Sequence, residues 1–243
     1  MAKVPALLAI ALALFAGVAQ AQSKFGPDAR VITDNLDYFR KAQAVDYWTL
    51  SQFYTGQRTP HGSSAATAAM AMNALRGVPA GADDVILGPG DLLQQVANQT
   101  WITEVSEGGS DVSFAEFLTY LKDTVAATAL SGVTIVATQP KDAEQLTLDN
   151  FRSALSVNEA SGKDVMLVYF DRGVVTDGPS RPHFSPVAAY DAANDLVLIL
   201  DVDRDYYVPY WVQATTLLVA MFNQFPSGPQ QGKSGGYFVL TKP

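Results

Sequence analysis

Three side chains of this sequence have the types and the spacing that a nucleophilic catalytic site requires. Ser63 lies where a loop meets a run of small residues with helical character, so the helix dipole would favour negative charge developing on its oxygen. His183 and Asp201 lie at the outer ends of a predicted hairpin that turns near residues 193–194, which makes them close to facing each other. A carboxylate beside a histidine holds one imidazole tautomer and stabilises the imidazolium. The three residues therefore predict a nucleophile, a base and an orienting acid.

Each of these side chains also has an ordinary structural interpretation, and spacing alone leaves it open. Serine is common at helix N-caps, so Ser63 or Ser64 could simply cap the helix. A histidine at a strand end is usually a satisfied, half-buried side chain, and Asp201 could form an ion pair with Arg204.

Two polar residues precede Ser63 in the same loop. Gln57 lies six residues before it and could offer its amide to an oxyanion. His61 has the character of an ordinary loop residue, and the sequence assigns it no role.

The composition excludes several classes of function. The chain has 243 residues, of which 48% are apolar, and it has no cysteine and only two histidines. Disulfides, thiolate metal sites and iron–sulfur clusters are therefore excluded, and a zinc site built mainly from histidine is not expected, so no built-in cofactor is predicted. A formal net charge of −8 argues against nucleic acid as a partner.

Residues 1–21 have the pattern of a secretory signal peptide. Lys3 precedes an apolar run from Val4 to Val18, and Ala19 to Ala21 form a small-x-small cleavage pattern before Gln22. An uncleaved anchor is the alternative, although about 15 apolar residues are short for a span. No later segment is long and apolar enough to cross a membrane. We therefore expect residues 22–243 to form one domain that is periplasmic or secreted, with no membrane attachment after cleavage.

The predicted elements change in character along the chain. The first two-thirds have helical patterns, including a helix of small residues over 65–75, buried all round and ended by Gly77 and Pro79, and one begun by a capping box at Ser113 and Glu116. Further helices are predicted over 92–98 and after Thr147, which could cap its helix. The last third predicts strands at 165–170, 183–190, 196–202 and 236–240 and a helix at 213–222. Helices followed by an antiparallel sheet predict an α+β fold.

Three C-terminal stretches of the sequence resemble the phytochelatin synthase family in its short bacterial form. The family pattern reads His-x-Ser-Pro, then Leu-Ile-Leu-Asp-Val-x-Arg, then Tyr-Pro-Pro-x-Trp-Val, and the matching stretches here are 183–190, 198–204 and 207–212. Residues 70–75 resemble the family's Met-Val-Leu-Asn-Ala-Leu, and residues 169–172 resemble its strand ending in arginine.

The resemblance implies a papain-like cysteine peptidase fold that acts on glutathione or a related γ-glutamyl peptide. A nucleophile would attack the amide before glycine, release glycine and pass the γ-glutamylcysteinyl group to water or to a second glutathione. A metal ion such as cadmium or zinc would enter as its glutathione thiolate complex. The family's His and Asp fall on His183 and Asp201, its oxyanion Gln falls on Gln57, and two arginines suited to glutathione carboxylates fall on Arg172 and Arg204. A homodimer is also consistent with the resemblance.

The sequence departs from the family at the nucleophile. Where the family has Cys-Gly-x-Ala-Ser, this chain has Ser63, and the Gly-Gly that often precedes the family histidine is replaced by Arg181 and Pro182. A serine hydroxyl does not ionise near neutral pH, whereas a cysteine paired with histidine exists as a thiolate. Three interpretations follow: a serine-dependent enzyme, a catalytically silent protein that binds glutathione or its metal complex, and an introduced Cys→Ser replacement, against which the retained leader argues.

Overall fold

The computed structural model describes residues 24–77, 81 and 83–243. The predicted signal peptide, its cleavage point before Gln22, and Pro79, which was expected to help end a helix, lie outside the described residues. In the described part of the chain, no helix combines the length and the apolar character that crossing a bilayer would require.

The described helices and strands alternate in a mixed order along the chain. The helices are α1 (Leu36–Lys41), α2 (Val45–Ser51), α3 (Ser63–Arg76), α4 (Pro89–Val96), α5 (Gln99–Glu104), α6 (Phe114–Ala127), α7 (Gln145–Glu159), α8 (Arg172–Val175) and α9 (Ala214–Phe222). The strands are β1 (Ala29–Val31), β2 (Thr134–Thr138), β3 (Asp164–Asp171), β4 (Pro182–Asp191), β5 (Leu196–Ile199), β6 (Tyr210–Gln213) and β7 (Gly236–Thr241).

The seven described strands form a single antiparallel sheet in the order β1-β6-β5-β4-β3-β7-β2. The interior strand β3 is buried at every residue because helices cover both faces of the sheet. Its alternate side chains enter two separate cores: Val165, Leu167 and Tyr169 pack with α3 and α6 on one face, and Met166, Val168 and Phe170 pack with α7 and α9 on the other. A strand buried on both faces explains why its sequence is one continuous apolar run.

The α+β prediction is confirmed, and so are its strongest local signals. The predicted strand at 165–170 is β3, the hairpin is β4 and β5, the helix at 213–222 is α9, and the last strand is β7. The capping box is present, because Ser113 Oγ accepts from the Glu116 N–H while Glu116 accepts from the Ser113 N–H at 2.8 Å.

Three details of the predicted elements are wrong. The N-terminal two-thirds also contribute the strands β1 and β2, and β6 was not predicted at all. A helix expected over 92–98 ends at Val96 and is followed by the separate helix α5, since Asn98 accepts from the Trp101 N–H and caps α5. Thr147, expected to cap a helix, lies inside α7, where its hydroxyl donates to Asp142.

Candidate active site

The predicted nucleophile is the first residue of a helix that is buried along nearly its whole length. Ser63 begins α3, and every residue from Ser63 to Leu75 is buried, as the small-residue pattern predicted. Ser63 does not cap the helix, because Gly62 occupies the N-cap position. Its Oγ is instead turned towards the sheet, where it accepts a hydrogen bond of 3.3 Å from the backbone N–H of Phe184. The unsatisfied N–H groups of a helix's first turn favour negative charge at this position.

A buried histidine–carboxylate pair lies beside this helix terminus. His183 in β4 is 3% exposed, and its Nε2 lies 2.7 Å from Oδ1 of Asp201, which is fully buried just beyond β5. The hairpin therefore brings the two predicted residues together. Asp201 pairs with His183 and not with Arg204, so the ion-pair interpretation is wrong. Because Nε2 faces the carboxylate, Nδ1 is the ring nitrogen left to exchange a proton with a nucleophile.

Several donors hold Asp201 in its ionised form. Burial opposes the charged carboxylate, but the charges of His183 and Arg172 and the hydrogen bonds from His183 and the Asp203 N–H outweigh it, so the pKa of Asp201 lies below its ordinary value. The second oxygen, Oδ2, accepts from the Tyr210 hydroxyl at 3.0 Å. The acid is thus fixed in position and charge, as an orienting residue requires.

The predicted oxyanion residue is attached to the same part of the sheet. The backbone N–H of Gln57 donates to the Val202 carbonyl at 2.7 Å, directly after Asp201 in the chain. Its side-chain Oε1 is buried without a hydrogen-bond partner among the described residues. The carbonyl oxygen of this amide is therefore left free to accept a hydrogen bond from a ligand.

A cavity of about 460 Å³ adjoins Gln57. This volume lies within the usual range for a small-molecule site. Its lining is strongly charged and consists of Gln57, Arg58, Thr59, Pro60, Glu107, Arg172, Pro179, Arg181, Asp203, Asp205, Tyr206 and Tyr207.

Only one of the two arginines expected to bind substrate lines this cavity. Arg172 is buried, forms an ion pair of 2.5 Å with Asp203 and lies 4.8 Å from the ring centroid of Tyr207. Arg204 is turned away, donating to the Tyr54 carbonyl at 3.2 Å and lying over the Tyr54 ring at 4.3 Å. The substrate-binding prediction for Arg204 does not fit this arrangement, because the aromatic ring and the carbonyl hold its guanidinium outside the cavity.

Two other arginines line the cavity instead of Arg204, and the sequence analysis did not assign either of them to the site. Arg58 directly follows Gln57, and Arg181 lies two residues before His183. Their closeness in sequence to predicted site residues was the available signal. His61, given no role, forms a second histidine–carboxylate contact, with Nδ1 2.8 Å from Oδ1 of Asp111.

The described residues include no group of three or more histidine, aspartate or glutamate side chains arranged to hold a metal ion. Ser63, His183 and Gln57 are residue types that in other proteins carry out nucleophilic attack, proton transfer and stabilisation of an oxyanion.

Comparison with known proteins points to one family. The sequence model described as phytochelatin synthase matches residues 34–237. The sequence is 35% identical over 99 residues to glutathione gamma-glutamylcysteinyltransferase 1 of Arabidopsis thaliana, covering 41% of this chain and 20% of that protein. It is 31% identical over 103 residues to glutathione gamma-glutamylcysteinyltransferase of Schizosaccharomyces pombe, covering 41% and 23%. These matches thus span about a fifth of the length of the relatives.

Proposed function

Because the chain belongs to the phytochelatin synthase family, we propose that it is a glutathione γ-glutamylcysteinyltransferase-like enzyme with Ser63 as its nucleophile. The observation that carries the proposal is the contact between Ser63 Oγ and the backbone of Phe184, next to the buried His183–Asp201 pair. This contact supports the proposal because it would let a nucleophile, a base and an oriented acid act together at a helix N-terminus. The antiparallel sheet packed against the buried helix α3 is consistent with a papain-like fold, which we propose for this chain.

The first half-reaction would release glycine. The Ser63 hydroxyl gives its proton to Nδ1 of His183 as Oγ attacks the carbonyl carbon of the Cys–Gly amide. The negative oxygen that forms is stabilised by the amide of Gln57 and by backbone N–H groups at the start of α3. The imidazolium then protonates the glycine nitrogen, the C–N bond breaks, and the γ-glutamylcysteinyl group remains as an ester on Ser63.

The second half-reaction would return the enzyme to its starting state. Water or the α-amine of a second glutathione attacks the ester carbonyl while His183 accepts its proton. The imidazolium then returns a proton to Ser63 Oγ as the C–O bond breaks. Water yields γ-glutamylcysteine, and glutathione yields the longer peptide. A cadmium or zinc ion would take part as a thiolate complex of the glutathione substrate.

A second candidate function is supported by the serine itself. The chain has no cysteine, so no preformed thiolate–imidazolium pair can exist. A protein that binds glutathione or its metal complex without cleaving it would keep the charged cavity and dispense with the thiol.

We also propose that the chain acts outside the cytoplasm after cleavage before Gln22, which N-terminal sequencing of the exported protein would test.

Mass spectrometry separates enzyme from binding protein. We expect purified protein incubated with glutathione to release glycine and to carry an acyl group on Ser63. Ser63→Ala should abolish both signals. Ser64→Ala is the matched control, because Ser64 is the adjacent buried serine whose Oγ accepts from Trp101 Nε1 at 3.0 Å. Binding of glutathione without glycine release or an adduct would favour the silent binding protein.

A further inference from the structure

The cavity beside Gln57 contains charges that the rest of the described chain does not neutralise. Arg172 and Asp203 form an ion pair within its wall and balance each other. The remaining charged groups of the lining are two arginines and two carboxylates, and none of the four takes part in an ion pair with a described residue: Arg58, Arg181, Glu107 and Asp205. Unpaired groups of both signs around one space match a ligand that itself carries both signs.

One end of glutathione has this chemistry. Its γ-glutamyl residue carries an ammonium and a carboxylate on the same carbon, whereas its glycine end carries a carboxylate alone. Guanidinium groups bind carboxylates through paired hydrogen bonds, and carboxylates accept from an ammonium. The lining of both signs therefore fits the γ-glutamyl end better than the glycine end.

We propose that Arg58 and Arg181 are specificity-determining residues that bind the α-carboxylate of a γ-glutamyl peptide, while Glu107 and Asp205 bind its ammonium. This inference rests on the proposed function and names the residues that would choose its substrate. Arg58 and Arg181 take the carboxylate-binding role that was expected of Arg204, which lies over Tyr54. Arg172 contributes less to carboxylate binding because Asp203 already neutralises its guanidinium.

The start of α4 lies against the Arg58 guanidinium. A Cβ atom on Gly90 would lie 2.7 Å from Nη1 of Arg58, which is closer than atoms can pack. Glycine at position 90 therefore makes room for this orientation of Arg58. The Gly90→Ala variant should displace the guanidinium while keeping its charge, and alanine is a better helix former than glycine, so α4 should persist.

Calorimetric titration of the full chain tests the inference, with Ser63→Ala as background so that no ligand is cleaved. The ligands are glutathione, glutathione amidated at the glutamyl α-carboxylate, and glutathione amidated at the glycine carboxylate. We expect Arg58→Gln and Arg181→Gln each to weaken glutathione binding at least roughly tenfold. Gly90→Ala should also weaken it. The control is Arg40→Gln, because Arg40 is an exposed arginine paired with Asp37 on α1.

The two amides show which carboxylate is bound. Glutathione amidated at the glutamyl α-carboxylate should bind the Ser63→Ala background as weakly as glutathione itself binds the arginine variants. Adding Arg58→Gln or Arg181→Gln should not weaken the binding of this amide further, because the carboxylate that the arginines would bind is already gone. The glycine amide should behave like glutathione. Glu107→Gln should weaken glutathione but leave N-acetyl-glutathione unchanged, because the acetylated nitrogen carries no charge. Circular dichroism confirms that each variant is folded.

The inference is overturned if both arginine variants bind glutathione as well as Arg40→Gln does, or if amidation of the glycine end removes their effect. It is also overturned if the background protein does not bind glutathione, and glycine release by the serine-containing protein would then leave the proposed enzyme standing. If the variants show the expected binding pattern but the serine-containing protein releases no glycine, the assignment of the specificity residues is supported and the proposed enzymatic activity is rejected.

Discussion

The backbone N–H of Phe184 donates to Oγ of Ser63 across 3.3 Å, which fixes the predicted nucleophile against the residue that follows the histidine. The oxygen uses an acceptor site in this bond and keeps its own proton free to donate. A donor at this position also stabilises any negative charge that develops on the atom. The same arrangement would also stabilise a sulfur anion at position 63.

Ser63→Cys should increase the rate of glycine release from glutathione at least roughly tenfold, which corresponds to about 1.4 kcal/mol of barrier. The histidine, the helix N-terminus and the Phe184 N–H all favour a thiolate at position 63. Ninhydrin or mass-spectrometric detection of glycine measures the rate. Adding His183→Ala should abolish the gain.

The control for this change is Ser64→Cys, which places a thiol one residue along the same helix. The Oγ of Ser64 bonds to Trp101 and not to the strand of His183, so no gain is expected. If Ser63→Cys binds glutathione and stays folded but releases no glycine, the site is not built for acyl transfer.

Tyr210→Phe should destabilise the protein at neutral pH and make its stability less dependent on acid. The pKa of Asp201 in the folded protein lies below its ordinary value of 3.8, so its contribution to the free energy of unfolding is present above about pH 4 and is lost as the pH falls through the folded pKa. Removing the Tyr210 hydroxyl takes one donor from Oδ2 and should cost about 1–3 kcal/mol at neutral pH. Because the folded pKa of Asp201 then moves towards its ordinary value, the difference in stability between Tyr210→Phe and the parent protein should shrink as the pH falls below about 4.

Urea unfolding between pH 3 and pH 7 measures this effect. Tyr206→Phe is the matched control, because the Tyr206 side chain is 65% exposed. Equal acid sensitivity in the two variants would show that the Tyr210 hydroxyl does not support the Asp201 carboxylate.

Asp46→Asn should stabilise the protein at alkaline pH. Burial, together with the charges of Glu159 and Asp164, raises the pKa of Asp46 to about 9 from 3.8. The folded state therefore binds a proton that the unfolded state has lost, and stability falls as the pH rises between these two values. Asparagine removes this cost and can still accept from Asn158, so we expect a gain of at least about 1 kcal/mol at pH 8 and none at pH 4.

Denaturant unfolding at the two pH values measures this gain. Asp37→Asn, which changes a carboxylate that is paired with Arg40 at the surface, should show no such pH-dependent gain. Destabilisation by Asp46→Asn at pH 8 would contradict the prediction.

Gly235→Ala should destabilise the fold by about 3 kcal/mol or more. A Cβ at this position would lie 1.8 Å from the carbonyl oxygen of Tyr169, so strand β3 would have to move. The Tyr169 ring stacks on Phe184 with centroids 4.0 Å apart, so the displacement should also reach the nucleophile. Thermal unfolding checks the first effect, and glycine release measured well below the unfolding midpoint checks the second.

Gly162→Ala is the control, because the nearest atom to its added Cβ would be Cγ1 of Val45 at an ordinary 3.4 Å. Similar losses of stability in the two variants would mean that the contact at Gly235 is relieved without cost.

Elements with strong local signals could be predicted from the sequence. The apolar run of β3 and the turn between β4 and β5 are each encoded by a few residues that are adjacent in the sequence. Such local patterns can be recognised without knowledge of the tertiary structure. The small residues of α3 predicted burial on all sides for the same reason. The strands β2 and β6 were missed because each is short and forms through pairing with distant segments: in the described part of the chain, β2 pairs with β7, and β6 pairs with β5 and β1.

The sequence by itself determined which residue types were available for chemistry, and the hairpin was enough to pair His183 with Asp201. Only the tertiary structure placed Ser63 against Phe184, a contact between residues 121 positions apart. It also turned Arg204 towards Tyr54 and brought Arg58 and Arg181 to one cavity. The physical reason is that local spacing sets the direction of a backbone, whereas the direction of a long polar side chain depends on partners that distant segments bring to it.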